Sequence, residues 1–179
     1  MKSIKIHDKE FEVSVNSEKI QDAINKIAEK INSELSKKEV VFIGILNGSF
    51  MFASDLFKKI DFNCRITFVK VSSYQGTSSS GVVKSLIGIN ENIKGKTVVV
   101  LEDIIDTGET LENIINQLKS YEPEEIKIAT FLFKPLAFTK SFKIDYIGLE
   151  VPNDFIVGYG LDYNGFGRNH SEIYSLVKS

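Results

Sequence analysis

Between residues 20 and 35, apolar side chains recur at Ile20, Ala23, Ile24, Ile27, Ala28, Ile31 and Leu35. This is the i, i+3, i+4, i+7 spacing of a helix with one buried face, and Ser17 stands where its cap belongs. The pattern then changes to continuous, β-branched runs. VVFIGIL (Val40–Leu46) is stopped by Asn47-Gly48-Ser49, and TVVVL (97–101) and IKIATFLF (126–133) follow. Runs of this kind predict strands buried on both faces. A short helix is expected over 50–58 and further strands over 65–71, 85–89 and 146–149. A second long helix should carry Leu111, Ile114, Ile115 and Leu118 on one face and end at Glu122-Pro123.

Strands alternating with helices imply an α/β fold: a mostly parallel sheet flanked by helices, binding ligands at the carboxyl ends of its strands. Two segments stand outside the alternation. SSYQGTSSSG (72–81) has no apolar period and is nearly all Ser, Gly and Thr, so a flexible loop is expected over about 72–84. NDFIVGYGLDYNGFGRNH (153–170) is rich in Gly and aromatics and reads as a small C-terminal hood, formed mainly by 150–179 with room for an N-terminal contribution. No repeat, linker or boundary interrupts the chain, so a single domain over 1–179 is expected.

Composition removes several function classes. The 179 residues are 42% hydrophobic and carry 22 basic against 24 acidic side chains, a net charge of −2. A chain of this length buries roughly 70% of its unfolded surface and needs no metal or disulfide staple. Balanced charge without a basic tract gives no footprint for nucleic acid. The N-terminal MKSIKIHDKE lacks the apolar core of a signal peptide, and no apolar run approaches the ~18 residues of a membrane span. The lone Cys64 can form no internal disulfide, which points to the cytoplasm.

GYGLDY (158–163) begins like a dinucleotide fingerprint but has Tyr163 at the third Gly, with no βαβ unit downstream. The chain has no GxxxxGK[ST], GxSxG or HExxH motif. His7 and His170 lie near opposite ends and read as surface or packing residues. EDIIDTGET (102–110) is different, because a buried strand delivers Glu102, Asp103 and Asp106 and then a Thr/Gly turn to the mouth of a helix. Thr107-Gly108-Glu109-Thr110 can aim backbone N–H groups and two hydroxyls at one anion, where the helix N-terminus adds partial positive charge; a monophosphate fits such a turn. At the strand end, Glu102 and Asp103 can serve hydroxyls or a hard cation. The alternative is that Asp106 and Glu109 form a D-x-x-E capping box for the next helix. That alternative leaves two further acids at the end of an apolar strand without a reason.

VVVLEDIIDTGET resembles the phosphoribosyl diphosphate motif of type I phosphoribosyltransferases. LNGS (46–49) is similar to the family's pyrophosphate loop, SSYQGTSSSG to its flexible catalytic loop, and FKP (133–135) with DFIVGYGLDYNGFGRN (154–169) to its purine-binding hood. The likeness spans nearly the whole chain and lies with the hypoxanthine branch. It implies transfer of the 5-phosphoribosyl group from phosphoribosyl diphosphate to N9 of hypoxanthine, and of guanine, with Mg2+ required. Asp106 would face purine N7 as general base, and Asp106, Thr107, Gly108, Glu109 and Thr110 would wrap the 5′-phosphate. Glu102 and Asp103 would lie at the ribose hydroxyls and their magnesium. Lys134 would donate to the exocyclic O6, Phe155 would stack on the base, and Ile156 would offer backbone groups to its edge. Asp162 would hold a second magnesium, and Asn47, Gly48, Ser49 and Arg168 would bind pyrophosphate. Ser73 and Tyr74 would be laid across the reacting atoms as the loop closes.

Many relatives carry Lys or Arg where this chain has Asn47, so backbone amides of 47–49 would bear more of the pyrophosphate, and the Leu46–Asn47 peptide would be cis. A homodimer or homotetramer is also implied. Two rivals remain. A receiver-type signalling domain needs more chain after its acidic pair than follows Asp103. A non-catalytic nucleotide-sensing regulator on the same fold that binds RNA or DNA would be expected to show a basic surface, and intact Asp106 and Lys134 favour the enzyme.

Overall fold

The computed structural model describes residues 3–74 and 83–177. Its main sheet has six strands in the order β5-β4-β3-β6-β7-β8, built from β3 (Val40–Leu46), β4 (Arg65–Tyr74), β5 (Val83–Ile87), β6 (Thr97–Ile105), β7 (Glu125–Phe133) and β8 (Tyr146–Glu150). Only β5 runs antiparallel, against β4. Helices α1 (Ser17–Leu35) and α2 (Phe50–Phe57) cover one face and α3 (Glu109–Lys119) the other.

The continuous apolar runs explain this layering, because alternate residues of each central strand point to opposite helix layers. Phe42, Val99 and Leu101 pack with α1 and α2, while Val41, Ile43, Val98 and Val100 pack with Leu111, Ile114 and Leu118 of α3. The register pairs Val41 with Val98 and Ile43 with Val100, so each layer is filled by matched neighbours.

Four expectations need correction. Asn16, not Ser17, caps α1: its side chain accepts from the Lys19 amide at 2.9 Å, and Ser17 is the first helical residue. The return strand spans Val83–Ile87 rather than 85–89, because Gly88 turns out of the strand at φ 105°. Strand β4 runs on through Ser72, Ser73 and Tyr74, paired with Ser85, Lys84 and Val83. The backbone ladder therefore extends a strand that the polar side chains conceal. The rest of the expected loop, with the side chains of Ser73 and Tyr74, lies outside the described residues. Finally, β6 continues to Ile105, so Glu102 and Asp103 lie within the strand and not at its end.

A second sheet of four strands has the order β1-β2-β10-β9, from β1 (Ser3–Ile6), β2 (Lys9–Val15), β9 (Ile156–Val157) and β10 (Ile173–Leu176). It joins an N-terminal hairpin to two strands from the 150–179 segment. No helix among the described residues is long and apolar enough to cross a membrane.

Candidate active site

The carboxyl ends of β3, β6 and β7 meet beneath the hood, and each delivers one part of the site. Asp103 is buried and its carboxylate accepts from the Ile104 amide at 2.9 Å. Glu102 has its Oε2 enclosed without a hydrogen-bond partner among the described residues. Burial and then the negative charge of Asp103 hold the Glu102 carboxyl well above the usual range. Burial raises Asp103 as well, against the lowering effects of Glu102, local backbone groups and the Arg168 charge. Two enclosed acids side by side, one with an orphaned oxygen, form a site built for a ligand that brings hydroxyls or positive charge.

Beyond β6 the chain turns through Asp106 and Thr107 to Gly108, the N-cap of α3 in the left-handed region at φ 85°. The N-cap position falls on Gly108, which has no side chain to cap with, and this removes the capping-box alternative for Asp106 and Glu109. The Glu109 amide donates to Thr107 Oγ1 at 3.4 Å, and the first-turn amides that follow it lack intrahelical carbonyl partners and can face an anion. A cavity of about 170 Å³ lies here, lined by residues 102–108 with Thr110 and Leu111; Glu109, although in the same turn, does not line it. The segment after β7 braces the turn. Thr139 donates to the Thr107 carbonyl from both its amide and its hydroxyl at 3.3 Å, and the Lys134 amide reaches the Ile105 carbonyl at 3.0 Å.

Lys134 is buried, and its Nζ donates to Asp106 Oδ2 at 3.2 Å. The two residues expected at opposite atoms of one base edge are thus brought together. Asp106 is about half exposed, its side chain being 49% accessible, so the pair opens on one side to incoming ligand.

The loop after β3 has a cis Leu46–Asn47 peptide. Asn47 is exposed, whereas Ser49 is fully buried, with both its hydroxyl (2.6 Å) and its amide (3.2 Å) donating to the Ile45 carbonyl. Ser49 therefore has no free donor, and the expectation that amides 47–49 act together narrows to Asn47 and Gly48. A Cβ on Gly48 would stand 1.6 Å from Asp103 Oδ2, so only glycine lets the loop lie against that carboxylate.

In the hood, Phe155 is 44% exposed beside Phe11 and Tyr163, at centroid distances of 6.0 and 5.6 Å. Ile156 is buried in β9. Asp162 accepts from the Gly165 amide at 2.7 Å and pairs with Arg168 Nη2 at 2.5 Å, while Arg168 Nη1 donates to the Gly160 carbonyl at 2.6 Å. Asp162 and Arg168, expected separately at pyrophosphate, are thus partners. The sequence offers Gly160 only as part of GYGLDY, with no sign of its contact with the 47–49 loop. Its φ is 100°, and a Cβ there would meet the Gly48 carbonyl oxygen at 2.1 Å. Gly160→Ala should cost about 1–2 kcal/mol from the backbone alone, with the steric contact added, and lower Tm by on the order of 5 °C or more. An unchanged calorimetric Tm would show that the hood does not press on this loop.

Comparison with known proteins agrees with this architecture. The phosphoribosyl transferase domain family matches residues 15–164. The hypoxanthine-guanine phosphoribosyltransferase of Streptococcus pneumoniae is 40% identical over 158 residues, covering 88% of each chain. That of Aquifex aeolicus is 37% identical over 173 residues, covering 96% of this chain and 97% of the relative. Among solved structures, hypoxanthine phosphoribosyltransferase from Trypanosoma cruzi in complex with the product IMP aligns with TM-score 0.84 at 30% identity, covering 97% of both chains. A Staphylococcus aureus hypoxanthine phosphoribosyltransferase aligns with TM-score 0.82 at 37% identity, covering 93% and 91%. With a helix-start turn, an acid pair and a Lys–Asp pair on the carboxyl edge of a parallel sheet, the chain belongs to the phosphoribosyltransferase family, in its hypoxanthine-guanine branch.

Proposed function

We propose that this protein transfers the 5-phosphoribosyl group of phosphoribosyl diphosphate to N9 of hypoxanthine and guanine, a purine-salvage reaction that yields a nucleoside 5′-monophosphate and pyrophosphate. The observation that carries the specificity is the Lys134–Asp106 pair at 3.2 Å. A 6-oxopurine offers an acceptor at O6 and, in the tautomer with N9 bare, a donor at N7. An ammonium and a carboxylate side by side match that edge, whereas the 6-amino group of adenine sets a donor against a donor. As N9 bonds to C1′ and the C1′–oxygen bond to pyrophosphate breaks, the N7 proton passes to the Asp106 carboxylate. The half-exposed Phe155 offers its ring to the base, and the α3 turn holds the 5′-phosphate.

Departure of pyrophosphate leaves positive charge on the ribose, next to the Glu102–Asp103 pair. The donor set there fits magnesium: hard oxygens, one of them orphaned, in a pair whose mutual repulsion a cation relieves. Among the described residues no three potential ligands converge on a metal site; an ion held by one or two carboxylates would be completed by substrate oxygens. Glu102 and Asp103 would hold one ion, which neutralises developing charge on the diphosphate when bound. Asp162 would face a second, although both its oxygens already have partners. A cytoplasmic homo-oligomer is the setting we infer for this activity.

The test is a panel of hypoxanthine, guanine, xanthine and adenine, each with phosphoribosyl diphosphate and magnesium. Turnover of hypoxanthine and guanine is expected, with adenine lower by about 10²-fold or more in kcat/KM, on the scale of discrimination by a buried polar group. Equal use of adenine would overturn the role of Lys134, and no turnover with any base would leave a nucleotide-sensing protein.

A further inference from the structure

Gly158, Tyr159 and Gly160 form a run with φ of 97°, 46° and 100°. Glycine enters this region freely and tyrosine does not, so the side chain at the middle position must have a use that glycine cannot serve. The Tyr159 ring is buried and packs on Phe131 of β7 at a centroid distance of 5.0 Å. Its hydroxyl donates to Asp55 Oδ2 at 2.6 Å. Asp55 lies on α2, the helix that begins directly after the 47–49 loop. It also accepts from Gln21 Nε2 of α1 at 3.2 Å and from Lys58 Nζ at 2.7 Å. The acceptor is therefore fixed by two helices, and it fixes the tyrosine in turn.

The next residue carries the consequence. Gly160 presses on the Gly48 carbonyl, and Gly48 on the Asp103 carboxylate, both at distances that admit no Cβ. The Gly160 carbonyl accepts from Arg168, which pairs with Asp162. We propose that the Tyr159–Asp55 hydrogen bond is a strap that seats the hood on the loop after β3, so that both are positioning residues for the diphosphate half of phosphoribosyl diphosphate. Neither touches substrate; they act through Gly160 and Gly48. The proposal rests on the reading of Asn47 and Gly48 as pyrophosphate contacts.

The strap makes a prediction that general loss of stability does not. Tyr159→Phe keeps the ring and loses the hydroxyl. It should weaken phosphoribosyl diphosphate (KM) and pyrophosphate (Kd) by about 2- to 10-fold, the effect of one hydrogen bond. KM for hypoxanthine should stay within about 2-fold, because the base lies against other elements. Asp55→Ala should reproduce that split, and Asp55→Asn, whose amide oxygen still accepts from the tyrosine, should restore near-parental values. Equal weakening of base and pyrophosphate in Tyr159→Phe, or failure of Asp55→Asn to rescue, would reduce the contact to ordinary packing and overturn the strap. Unchanged pyrophosphate affinity in Tyr159→Phe would overturn it too. Gly48→Ala, measured in parallel for pyrophosphate binding, separates the two levels. If Tyr159→Phe binds pyrophosphate like the parent, the strap alone falls; if Gly48→Ala retains full binding, the loop assignment falls and the strap with it.

Discussion

Lys134→Gln should raise KM for hypoxanthine by about 10- to 100-fold, the scale of a charge-assisted hydrogen bond lost from an enclosed site, while KM for phosphoribosyl diphosphate stays within about 2-fold. The asymmetry follows from where the lysine stands. Its side chain is 10% exposed and its Nζ is bonded to Asp106 Oδ2, so the ammonium is committed to the edge where the base would lie. Glutamine keeps most of the length and one N–H donor, but it exchanges a cation for a dipole and adds an acceptor. The acceptor can meet the 6-amino group of adenine, so the ratio of kcat/KM for hypoxanthine over adenine should fall as well. Folding should survive, because the partner left behind, Asp106, is half exposed and can be hydrated once the ammonium is gone. Steady-state kinetics with each substrate varied in turn checks this. Equal losses for base and phosphoribosyl diphosphate would make Lys134 a structural residue.

Much of the scaffold that aims this lysine is legible in the chain, because its signals are periodic. The buried face of α1 is the set of residues whose spacing predicted it, Ile20 through Leu35. VVFIGIL becomes a strand with the bounds of its apolar run. The bounds fail where backbone pairing outlasts side-chain pattern. Strand β6 continues through Glu102 and Asp103 because its ladder with β7 reaches Ile105 opposite Phe133. The residues that looked like a strand end are a polar interruption within it. The same holds for Ser72–Tyr74 in β4. The N-terminal hairpin did leave a signal. Phe11, Val13 and Val15 alternate with Glu10, Glu12 and Ser14, the period of a half-buried strand.

The site divides along the same line. Its local parts, the turn at 106–110 and the loop at 47–49, are contiguous motifs and can be read from sequence. Contacts between distant segments cannot. Nothing local marks that Lys134 reaches Asp106, 28 residues earlier, or that Tyr159 reaches Asp55, 104 residues earlier. The glycines of GYG were weighed as a dinucleotide fingerprint and discarded. Their use is steric: Gly160 lets the hood backbone meet the Gly48 carbonyl.

Asp106→Asn should leave KM for both substrates within a few-fold and lower kcat by about 10²-fold or more, the usual contribution of a positioned general base. The amide is nearly isosteric and its oxygen can still accept from Lys134 and from purine N7–H, so geometry and binding persist. It cannot take the proton that N7 must lose as the N9–C1′ bond forms. Stability should change little, since the carboxylate is half exposed and caps no helix. The two pair members should therefore fail in different ways, Lys134→Gln chiefly in base binding and Asp106→Asn chiefly in turnover. In the double variant the losses in base affinity should be non-additive, because the side chains contact each other, while kcat stays near that of Asp106→Asn alone. Parental kcat in Asp106→Asn would end the general-base assignment. Fully additive binding losses would mean that the pair at 3.2 Å does not act as one unit on the base.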